Sequence, residues 1–403
     1  MVPKGWKRVP IKDVCESIID CVNKTAPVVD YETPFKMIRT TNVRNGRVNT
    51  EDVRYVTEDT YLQWVRRGKP QVGDIIFTRE APVGEAGVLQ DAEGIFLGQR
   101  TMMYRADTCL SDNYFLFYSL SSPFCQKQIE DFSNGGTVAH MRVPDCGEIL
   151  INLPPFLEQK KIAQILSTWD KAISVTEKLL TNSQLQKKAL MQQLLTGKKR
   201  LLDENGVRFS GEWCTCTLSE VAHIIMGSSP KSEAYNDNGL GLPLIQGNAD
   251  IKCRVSCPRV YTSDITKECT PGDILLSVRA PVGTVALSQH KACIGRGISA
   301  IKSKRKMSQS FLYQWFLWFE PKWCYLSQGS TFESINSDDI KTLKLSVPNF
   351  EEQQKIAAVL SAADVEISTL EKKLACLKDE KKALMQQLLT GKRRVKVDEA
   401  VAE

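Results

Sequence analysis

The sequence contains little of what a catalytic site would need. Only three histidines occur among its 403 residues, and their spacing matches no metal-ligand motif. They are His140, His223 and His290. Gly197 and Lys198 stand outside a Walker A frame, and no GxGxxG occurs. We therefore expect a chain that is not an enzyme and that binds no cofactor of its own.

Long apolar runs are missing too. No stretch of 18 apolar residues occurs, so we expect no membrane span. The beginning of the chain, MVPKGWKRVPIKDV, lacks the apolar core of a signal peptide. The 13 cysteines are odd in number and scattered, which is more typical of a reducing cytosol than of a disulfide framework. These features together predict a cytoplasmic protein.

The densest group of cysteines leaves two interpretations open. Its irregular spacing is a weak match to a zinc site, and buried free thiols are the simpler expectation. The group consists of Cys214, Cys216, Cys253, Cys257 and Cys269. The stretch NLPPF at 152–156 differs by one inserted residue from the Asn-Pro-Pro-Tyr/Phe loop of adenine methyltransferases. We interpret it as a turn into a helix.

One stretch of the chain occurs twice. KKALMQQLLTGK occupies 187–198 and again 381–392, with all 12 residues identical and 194 positions between the copies. The match continues upstream at the same offset, where LPPFLEQKKIAQILS (153–167) lies over VPNFEEQQKIAAVLS (347–361). No residue is inserted or lost between the two ends. Each copy therefore keeps a constant length, as a spacer would.

Both copies predict a long helix with one apolar seam. Residues at alternating steps of four and three form an a/d heptad pattern with a polar break at Lys187 or Lys381. The seam of the first copy is Ile162, Leu166, Trp169, Ile173, Thr176, Leu180, Ser183, Lys187, Leu190 and Leu194. That of the second copy is Ile356, Leu360, Ala363, Ile367, Leu370, Leu374, Leu377, Lys381, Leu384 and Leu388. The simplest partner for each seam is the other.

The helix boundaries follow from local residues. Gly197 and Gly391 predict the ends, and the following KKR and KRR place cations at the negative end of the helix dipole. Glu351 and Glu352 stand at a helix start, where we assign them to the positive end of the dipole. Each helix should span roughly 40 residues, or about 60 Å.

The segments between the helices are a second, more diverged repeat, whose offset falls from 207 to 194. The aligned pairs are Gly5–Val14 with Gly211–Val221, Phe35–Val48 with Leu242–Val255, Val72–Gly84 with Pro271–Gly283, and Ser133–Met141 with Ser327–Ile335. IIFT (75–78) and ILLS (274–277) predict buried strands, whereas 114–132 and 311–325 predict helices packed on a sheet. Asn134–Gly136 and Asn236–Gly239 predict loops.

The chain has the order module, helix, module, helix. The motif PxxxEQxxIAxxLS begins each helix, and KKALMQQLLTGK ends it. This arrangement resembles the DNA-specificity subunit of type I restriction–modification systems. The resemblance covers nearly the whole chain. It implies an α+β fold of two mixed α/β target-recognition domains separated by two long helices that pair as an antiparallel coiled coil, an internal repeat with a pseudo-two-fold axis. The domains would be 1–152 and 201–346, the first helix 153–200, and the second helix with its tail 347–403.

In that family each module reads one half of a split double-stranded DNA sequence. The helices set the spacing and bind two methyltransferase subunits, which carry the S-adenosylmethionine chemistry; restriction and motor subunits complete the complex. The repeated seam ends and glutamine pairs are the candidates for the coiled coil and for partner binding. They are Leu190, Gln192, Gln193, Leu194, Leu384, Gln386, Gln387 and Leu388.

Polar residues in the aligned loops are the candidates for DNA contact. Arg39 lies over Gln246, and Thr41 over Asn248; Arg favours guanine edges, while Gln and Asn favour adenine. The full set is Arg39, Thr40, Thr41, Asn42, Arg79, Arg100 and Thr137 in the first module, and Gln246, Asn248, Arg279, Arg296 and Thr331 in the second. Arg79 and Arg279 are displaced by one residue in the alignment, and in a strand that shift would reverse the face.

Two classes of function remain open at this point. The net charge of +6 permits nucleic-acid binding without demanding it. The alternative to a DNA reader is a structural scaffold whose two modules bind proteins. Steep weakening of binding with salt would distinguish DNA binding from the scaffold.

Overall fold

The computed structural model describes residues 2–133, 139–323 and 334–397. The chain divides into two compact units. Unit 1 comprises Met1–Glu177 and Lys373–Glu403, and unit 2 comprises Lys178–Lys372. Each unit thus contains one module together with one end of each long helix. The sequence analysis divides the chain differently, with the helices as separate segments 153–200 and 347–403.

The module of unit 1 is a mixture of strands and short helices. Its strands are β1 Lys7–Pro10, β2 Cys15–Asp20, β3 Lys36–Ile38, β4 Val43–Arg44, β5 Arg47–Val48, β6 Arg54–Tyr55, β7 Ile75–Arg79, β8 Val83–Val88, β9 Ile95–Leu97, β10 Thr101–Ala106 and β11 Leu150–Leu153. Its α-helices are Glu58–Trp64, Asn113–Leu120, Pro123–Ser133 and Val143–Gly147, and its 3-10 turns are Ile11–Val14, Thr40–Asn42 and Val65–Arg67.

The module of unit 2 is built in the same way. Its strands are β12 Cys214–Thr217, β13 Ala222–Met226, β14 Tyr235–Asn236, β15 Leu242–Ile245, β16 Ile251–Lys252, β17 Val255–Ser256, β18 Val260–Thr262, β19 Glu268–Cys269, β20 Ile274–Ser277, β21 Val285–Leu287, β22 Ala292–Ile294, β23 Ile298–Ser303 and β24 Lys344–Val347. Its α-helices are Leu218–Val221, Gln309–Phe319 and Ser337–Lys341, and its 3-10 turns are Ser232–Ala234, Asn248–Asp250 and Glu320–Lys322.

The sheet topology confirms that the modules are copies. The order β2-β10-β7-β8 in unit 1 recurs as β13-β23-β20-β21 in unit 2. β3 runs parallel to β9, and β15 runs parallel to β22. β1 pairs with β11 and β12 with β24, so each module ties its first and last strands together just before a long helix. The predicted buried strands are confirmed, since every residue of β7 and β20 is buried.

The predicted helices 114–132 and 311–325 are wrong as single elements. The first is two helices that meet before Pro123, because proline has no N–H to donate and disfavours helical backbone in the residue before it. The second ends at Phe319 and continues as a 3-10 turn that contains Pro321. Residues 134–138 and 324–333, which include the predicted 134–136 loop, lie outside the described residues.

The two long helices are confirmed as Phe156–Leu194 (long helix 1) and Phe350–Leu388 (long helix 2), each of 39 residues. Every residue of both predicted seams is buried or half-buried. Gly197 and Gly391 both have φ of 68°, the left-handed conformation of a helix C-terminus. NLPPF is the end of β11 followed by the turn into long helix 1, as predicted.

Ion pairs and hydrogen bonds show the antiparallel direction within each unit. In unit 1 the partners of Glu158, Asp170 and Glu177 on long helix 1 are Arg394, Lys381 and Lys378. In unit 2 the partners of Ser183, Lys187 and Arg200 are Glu366, Asp364 and Glu352. One number rises as the other falls, so the α+β fold with an antiparallel pair of long helices is confirmed.

The polar break in each seam is also explained. Lys187 meets Asp364, and Lys381 meets Asp170, so each lysine has a carboxylate partner on the facing helix. A charged residue in a seam specifies register, because any slip would leave it without its partner. Within the described ranges, neither the long helices nor the shorter ones combine the length and apolar character of a membrane span.

Candidate nucleic-acid interface

Backbone hydrogen bonds bring the candidate loops of unit 1 to one edge of the module. The parallel strands β3 and β9 end side by side, and the N–H of Gly98 donates to the carbonyl of Ile38 at 2.8 Å. The N–H of Arg79 donates to the carbonyl of Arg100 at 2.9 Å, and that of Met141 to the carbonyl of Arg79 at 3.0 Å. Residues 39–42, 79–80, 98–100 and 139–142 therefore form one surface, here named loop edge 1.

Unit 2 repeats this arrangement bond by bond. The N–H of Gly295 donates to Ile245 at 2.8 Å, that of Val278 to Gly297 at 2.9 Å, and that of Ile335 to Val278 at 3.0 Å. Residues 246–250, 278–281, 295–297 and 334–335 form loop edge 2. It contains the predicted residues Gln246, Asn248, Arg279 and Arg296. Thr137 and Thr331, predicted in the last segment of each edge, lie outside the described residues.

The first segment of each edge is a turn held by a side chain. In unit 1 the N–H of Arg39 donates to Oδ1 of Asn42 at 3.0 Å, and the Asn42 amide donates in turn to the carbonyl of Asn49 at 3.3 Å. Asn42 is 4% exposed, so its amide holds the turn and lies below the surface that DNA would meet. In unit 2 the N–H of Gln246 donates to Oδ2 of Asp250 at 2.9 Å. In both edges a side chain thus accepts the N–H of the residue that follows the strand, but the segment of unit 2 is one residue longer and its turn begins at Gly247.

Exposure separates the remaining candidates. Arg39, Thr40 and Asn248 are half-buried, and Nε of Arg39 is a buried donor with no partner among the described residues. Thr41, Arg100, Gln246, Arg279 and Arg296 are exposed. Most of the predicted set therefore has surface available on the two loop edges.

Arg79 is the main exception. It is 7% exposed, its Nη2 lies 3.0 Å from Oδ1 of Asp20, and its Nη1 donates to the carbonyl of Met141 at 3.2 Å. Arg279, the displaced counterpart, is exposed. Arg279 lies beyond the end of β20, whereas Arg79 is the last residue of β7, so the displaced arginines stand in different environments. The position equivalent to Arg279 in unit 1 is Glu80, which pairs with Arg100 at 2.7 Å.

A recess of about 420 Å³ opens at loop edge 1 and adds residues that the sequence did not single out. Arg79, Glu80 and Arg100 line it together with Asn23, Gln99, His140 and Arg142. Nε of Arg79 is a further buried donor without a partner among the described residues. For His140, the only sequence feature that gave an indication of a place at this site was its position in the repeated stretch 133–141. Asn23 and Gln99 gave none, because a fold that joins distant loops is what places them here.

The repeated ends of the long helices have an inner and an outer side. Leu194 is buried in the hydrophobic core of unit 2, and Leu190 packs against that core. Leu388 and Leu384 have the same places in unit 1. The glutamines between them are exposed: Gln192, Gln193, Gln386 and Gln387. The leucines thus belong to the cores of the two units, and the glutamines lie on the outward surface of the helices.

The EQ of the helix-entry motif has a tertiary role that the sequence interpretation missed. Glu352 is fully buried and binds Arg200 through two hydrogen bonds of 2.7 and 2.6 Å, and these bonds raise the pKa of the guanidinium. Glu158 and Arg394 repeat this pair, with the same effect on the pKa of Arg394. The helix dipole alone was therefore the wrong explanation for Glu352, as it was for the arginines that follow the helix ends.

The neighbouring glutamines anchor the helices to the modules. Oε1 of Gln159 accepts the N–H of Asp112 at 3.0 Å, and Oε1 of Gln353 accepts the N–H of Ser308 at 2.8 Å. Each bond joins the first turn of a long helix to the residue that begins a module helix. The group of cysteines at 214–269 was open to interpretation as a metal site. Among the described residues, no three His, Cys, Asp or Glu side chains come together as a metal site would require.

Comparison with known proteins agrees with this architecture. The family model described as type I restriction modification DNA specificity domain matches residues 3–183 and 210–378. The putative type I restriction enzyme MjaX specificity subunit of Methanocaldococcus jannaschii is 31% identical over 418 residues, covering 98% of this chain and 95% of that protein. The MjaVIII specificity subunit of the same organism is 26% identical over 427 residues, covering 98% and 94%.

Two solved structures share the fold. The S subunit of a type I restriction–modification system from M. genitalium has a TM-score of 0.65 at 17% identity, with 96% of each chain covered. A chain solved in a study of complex assembly and conformational transition of the type I R-M system has a TM-score of 0.57 at 24% identity, with 98% of this chain and 100% of that one covered. The chain belongs to the DNA-specificity subunit family of type I restriction–modification systems, and its function is DNA recognition.

Proposed function

We propose that each unit reads one half of a bipartite double-stranded DNA sequence with its loop edge, while the long helices set the gap between the halves. One observation carries the proposal. The two edges share their backbone hydrogen bonds and differ in the side chains mounted on them. A constant frame with variable side chains is what a reader of two different half-sites requires.

The side chains at equivalent positions favour different bases. Arg39 follows β3 at loop edge 1, where a half-buried guanidinium suits guanine, and Gln246 follows β15 at loop edge 2, where an exposed amide suits adenine. In the second segment Glu80 occupies the position that Arg279 has in unit 2, and in the third segment Gln99 occupies the position of Arg296. The two half-sites should therefore differ in sequence.

Partners follow from the repeated outer surfaces of the helices. The exposed glutamine pairs 192–193 and 386–387 are identical although the modules diverged. A surface repeated about a pseudo-two-fold axis suits two copies of one partner. We assign these surfaces to two methyltransferase subunits, which would carry S-adenosylmethionine and the chemistry, with restriction and motor subunits joining the full complex.

On this proposal the chain positions its partners on DNA and performs no catalytic step, and it acts in the cytoplasm. A scaffold that binds only proteins is not favoured, because the family to which the chain belongs is a DNA-specificity family.

The test is an exchange of module 1 (1–152) for that of another specificity subunit, with both long helices kept. Sequencing that detects methylated adenine in host DNA should show one half of the target changed and the other half and the gap unchanged. A change in both halves, or methylation without sequence preference, would overturn the assignment of one half-site to each unit.

The subunit ratio has its own measurement. The mass of the purified complex at saturating methyltransferase should correspond to two methyltransferase subunits for each specificity subunit. A complex that stays at one to one would contradict the assignment of the repeated surfaces.

A further inference from the structure

Unit 1 contains a cleft of about 1360 Å³ beside the long helices, here named the lysine cleft. Its walls are the β4–β5 hairpin, the module helix Asn113–Leu120 and the unit 1 ends of the two long helices. Cationic side chains outnumber carboxylates among its lining residues by eight to three. Such an excess at one place attracts anions.

Part of this charge is neutralised inside the protein. Glu177 lies 3.1 Å from Nη2 of Arg47 and 2.9 Å from Nζ of Lys378, and the hydrogen bond from Lys378 lowers the pKa of the Glu177 carboxyl. Asp170 lies 2.5 Å from Nζ of Lys381. These three cations are therefore occupied.

The other five cations face the cleft without a carboxylate within 4.0 Å among the described residues. They are Arg44, Lys160, Lys161, Lys171 and Lys396. The three lysines of long helix 1 are exposed, and Lys160 lies 4.6 Å above the ring of Phe156. Their mutual repulsion would be relieved by a bound polyanion.

Most lysines of the lysine cleft are not repeated, although the long helices that line it are. At the offset of 194, Lys161 is kept as Lys355, whereas Lys160, Lys171 and Lys396 correspond to Gln354, Val365 and Leu202. A partner that binds both copies about the pseudo-two-fold axis would need the same side chains twice. The occupant of the cleft therefore binds this chain once, unlike the methyltransferase subunits.

The hairpin connects the lysine cleft to loop edge 1. The turn Thr40–Asn42 continues without interruption into β4, and Nη1 of Arg44 donates to the carbonyl of Thr40 at 2.8 Å. The cations of the cleft thus begin next to the residues proposed to contact bases. Flexible lysine ammonium groups suit phosphate, which they meet as point charges.

We propose that the lysine cleft binds the phosphate backbone of duplex DNA beside the half-site that unit 1 reads. The contact is independent of sequence and gives affinity, whereas the loop edge gives selectivity. This inference rests on the proposed function, because DNA held at loop edge 1 is the polyanion that the adjoining cleft would meet.

The test is a triple variant, Lys160→Gln, Lys161→Gln and Lys171→Gln, in the full-length chain, alone and with its methyltransferase subunits. The probe is a duplex of about 30 base pairs that carries the target, compared with a scrambled duplex, over a range of salt concentrations. Each lost phosphate contact lowers the salt slope by about 0.9, so the slope should fall by about 2 to 3 and affinity at low salt by at least tenfold. The preference for the target over the scrambled duplex should stay unchanged.

A matched control removes the same charge elsewhere on the long helices. Lys178→Gln, Lys372→Gln and Lys373→Gln replace exposed lysines that do not line the lysine cleft. This triple should keep a salt slope near that of the wild type. A single Lys171→Gln variant, expected to lower the slope by about 0.9, serves if the cleft triple fails to fold.

The outcomes separate the two proposals. A wild-type slope and affinity in the cleft triple, with selectivity intact, overturn the inference and leave the proposed function standing. Loss of a methyltransferase subunit from the triple with an unchanged DNA slope overturns it in favour of a protein interface. Equal binding of target and scrambled duplex by the wild-type complex overturns the proposed function itself.

Discussion

The guanidinium of Arg394 binds the carboxylate of Glu158, 236 positions earlier, from Nε to Oε1 at 2.6 Å and from Nη2 to Oε2 at 2.8 Å. The indole of Trp6 donates to the same carboxylate at 3.1 Å. This cluster joins the beginning of the chain, the entry of long helix 1 and the residues after long helix 2. The pair Arg200 and Glu352 repeats it in unit 2 without the indole bond.

The difference between the two clusters predicts unequal costs of removing the arginine. In unit 1 the indole of Trp6 still donates to Glu158 after Arg394 is removed. In unit 2 Nε1 of Trp213 has no partner among the described residues, so Arg200→Ala leaves the buried carboxylate of Glu352 without an indole donor. We expect Arg200→Ala to lower the free energy of unfolding by about 3 kcal/mol. Arg394→Ala should cost about 1 kcal/mol less.

Urea unfolding followed by circular dichroism measures both costs. The controls are Lys199→Ala and Arg393→Ala, which remove exposed cations next to each arginine. Equal losses for Arg200→Ala and Arg394→Ala would mean that the indole of Trp6 does not support Glu158.

Arg39 provides the sharpest test of base reading. Arg39→Ala should cost about 1–3 kcal/mol of binding and relax selectivity at one base pair of half-site 1, if the guanidinium binds a guanine edge. Gln246→Ala should have the corresponding effect in half-site 2 only. Selection of bound sequences from a random library reports both. A loss that is uniform over all sequences would make Arg39 a phosphate contact.

The long helices can be tested as a ruler by adding one heptad to each, after Ile173 and after Ile367. Both residues lie on the seams, and seven residues keep the a/d register while adding about 10 Å. We expect unchanged half-sites separated by a gap about two to four base pairs longer, with lower affinity because DNA also twists over that distance. A library with spacers of different length shows the preferred gap. A folded variant that prefers the original gap would refute the ruler.

Tyr118 predicts a pH dependence of stability. Its hydroxyl donates to Oδ2 of Asp170 at 2.6 Å, and burial, followed by that hydrogen bond, raises its pKa. Folded Tyr118 therefore keeps its proton above about pH 10, where the unfolded side chain loses it, so the unfolded state is favoured by about 1.4 kcal/mol for each further pH unit.

The comparison is with Tyr118→Phe. Below pH 10 the wild type should be more stable by about 1 kcal/mol, because the variant lacks the hydrogen bond to Asp170. The two unfolding free energies should converge as the pH rises from 10 to 11. A difference that stays constant over that range would contradict the raised pKa.

Much of the architecture was predictable because its determinants are local or exactly periodic along the chain. The heptads and the glycines at 197 and 391 predicted both long helices to within a few residues. The offsets between aligned segments predicted two copies of one module. Periodicity sufficed because apolar residues at constant heptad spacing lie on one face of a helix, and that face must be buried.

Tertiary structure decided which polar side chains are exposed and could therefore contact DNA. Asn42 and Arg79 look like surface groups in sequence, yet one holds a turn and the other pairs with Asp20 below the surface. Asn23 and Gln99 gave no indication in sequence and lie at the recess of loop edge 1.

The sequence by itself therefore determined the repeat, the helices and the family of this protein, because each depends on residues close together or evenly spaced. Only the tertiary structure decided that Glu352 pairs with Arg200, which residues share a loop edge, and which cations line the lysine cleft of unit 1. Those facts depend on segments that are distant in sequence and meet only in the fold, where burial and electrostatics are set by neighbours that no local pattern identifies.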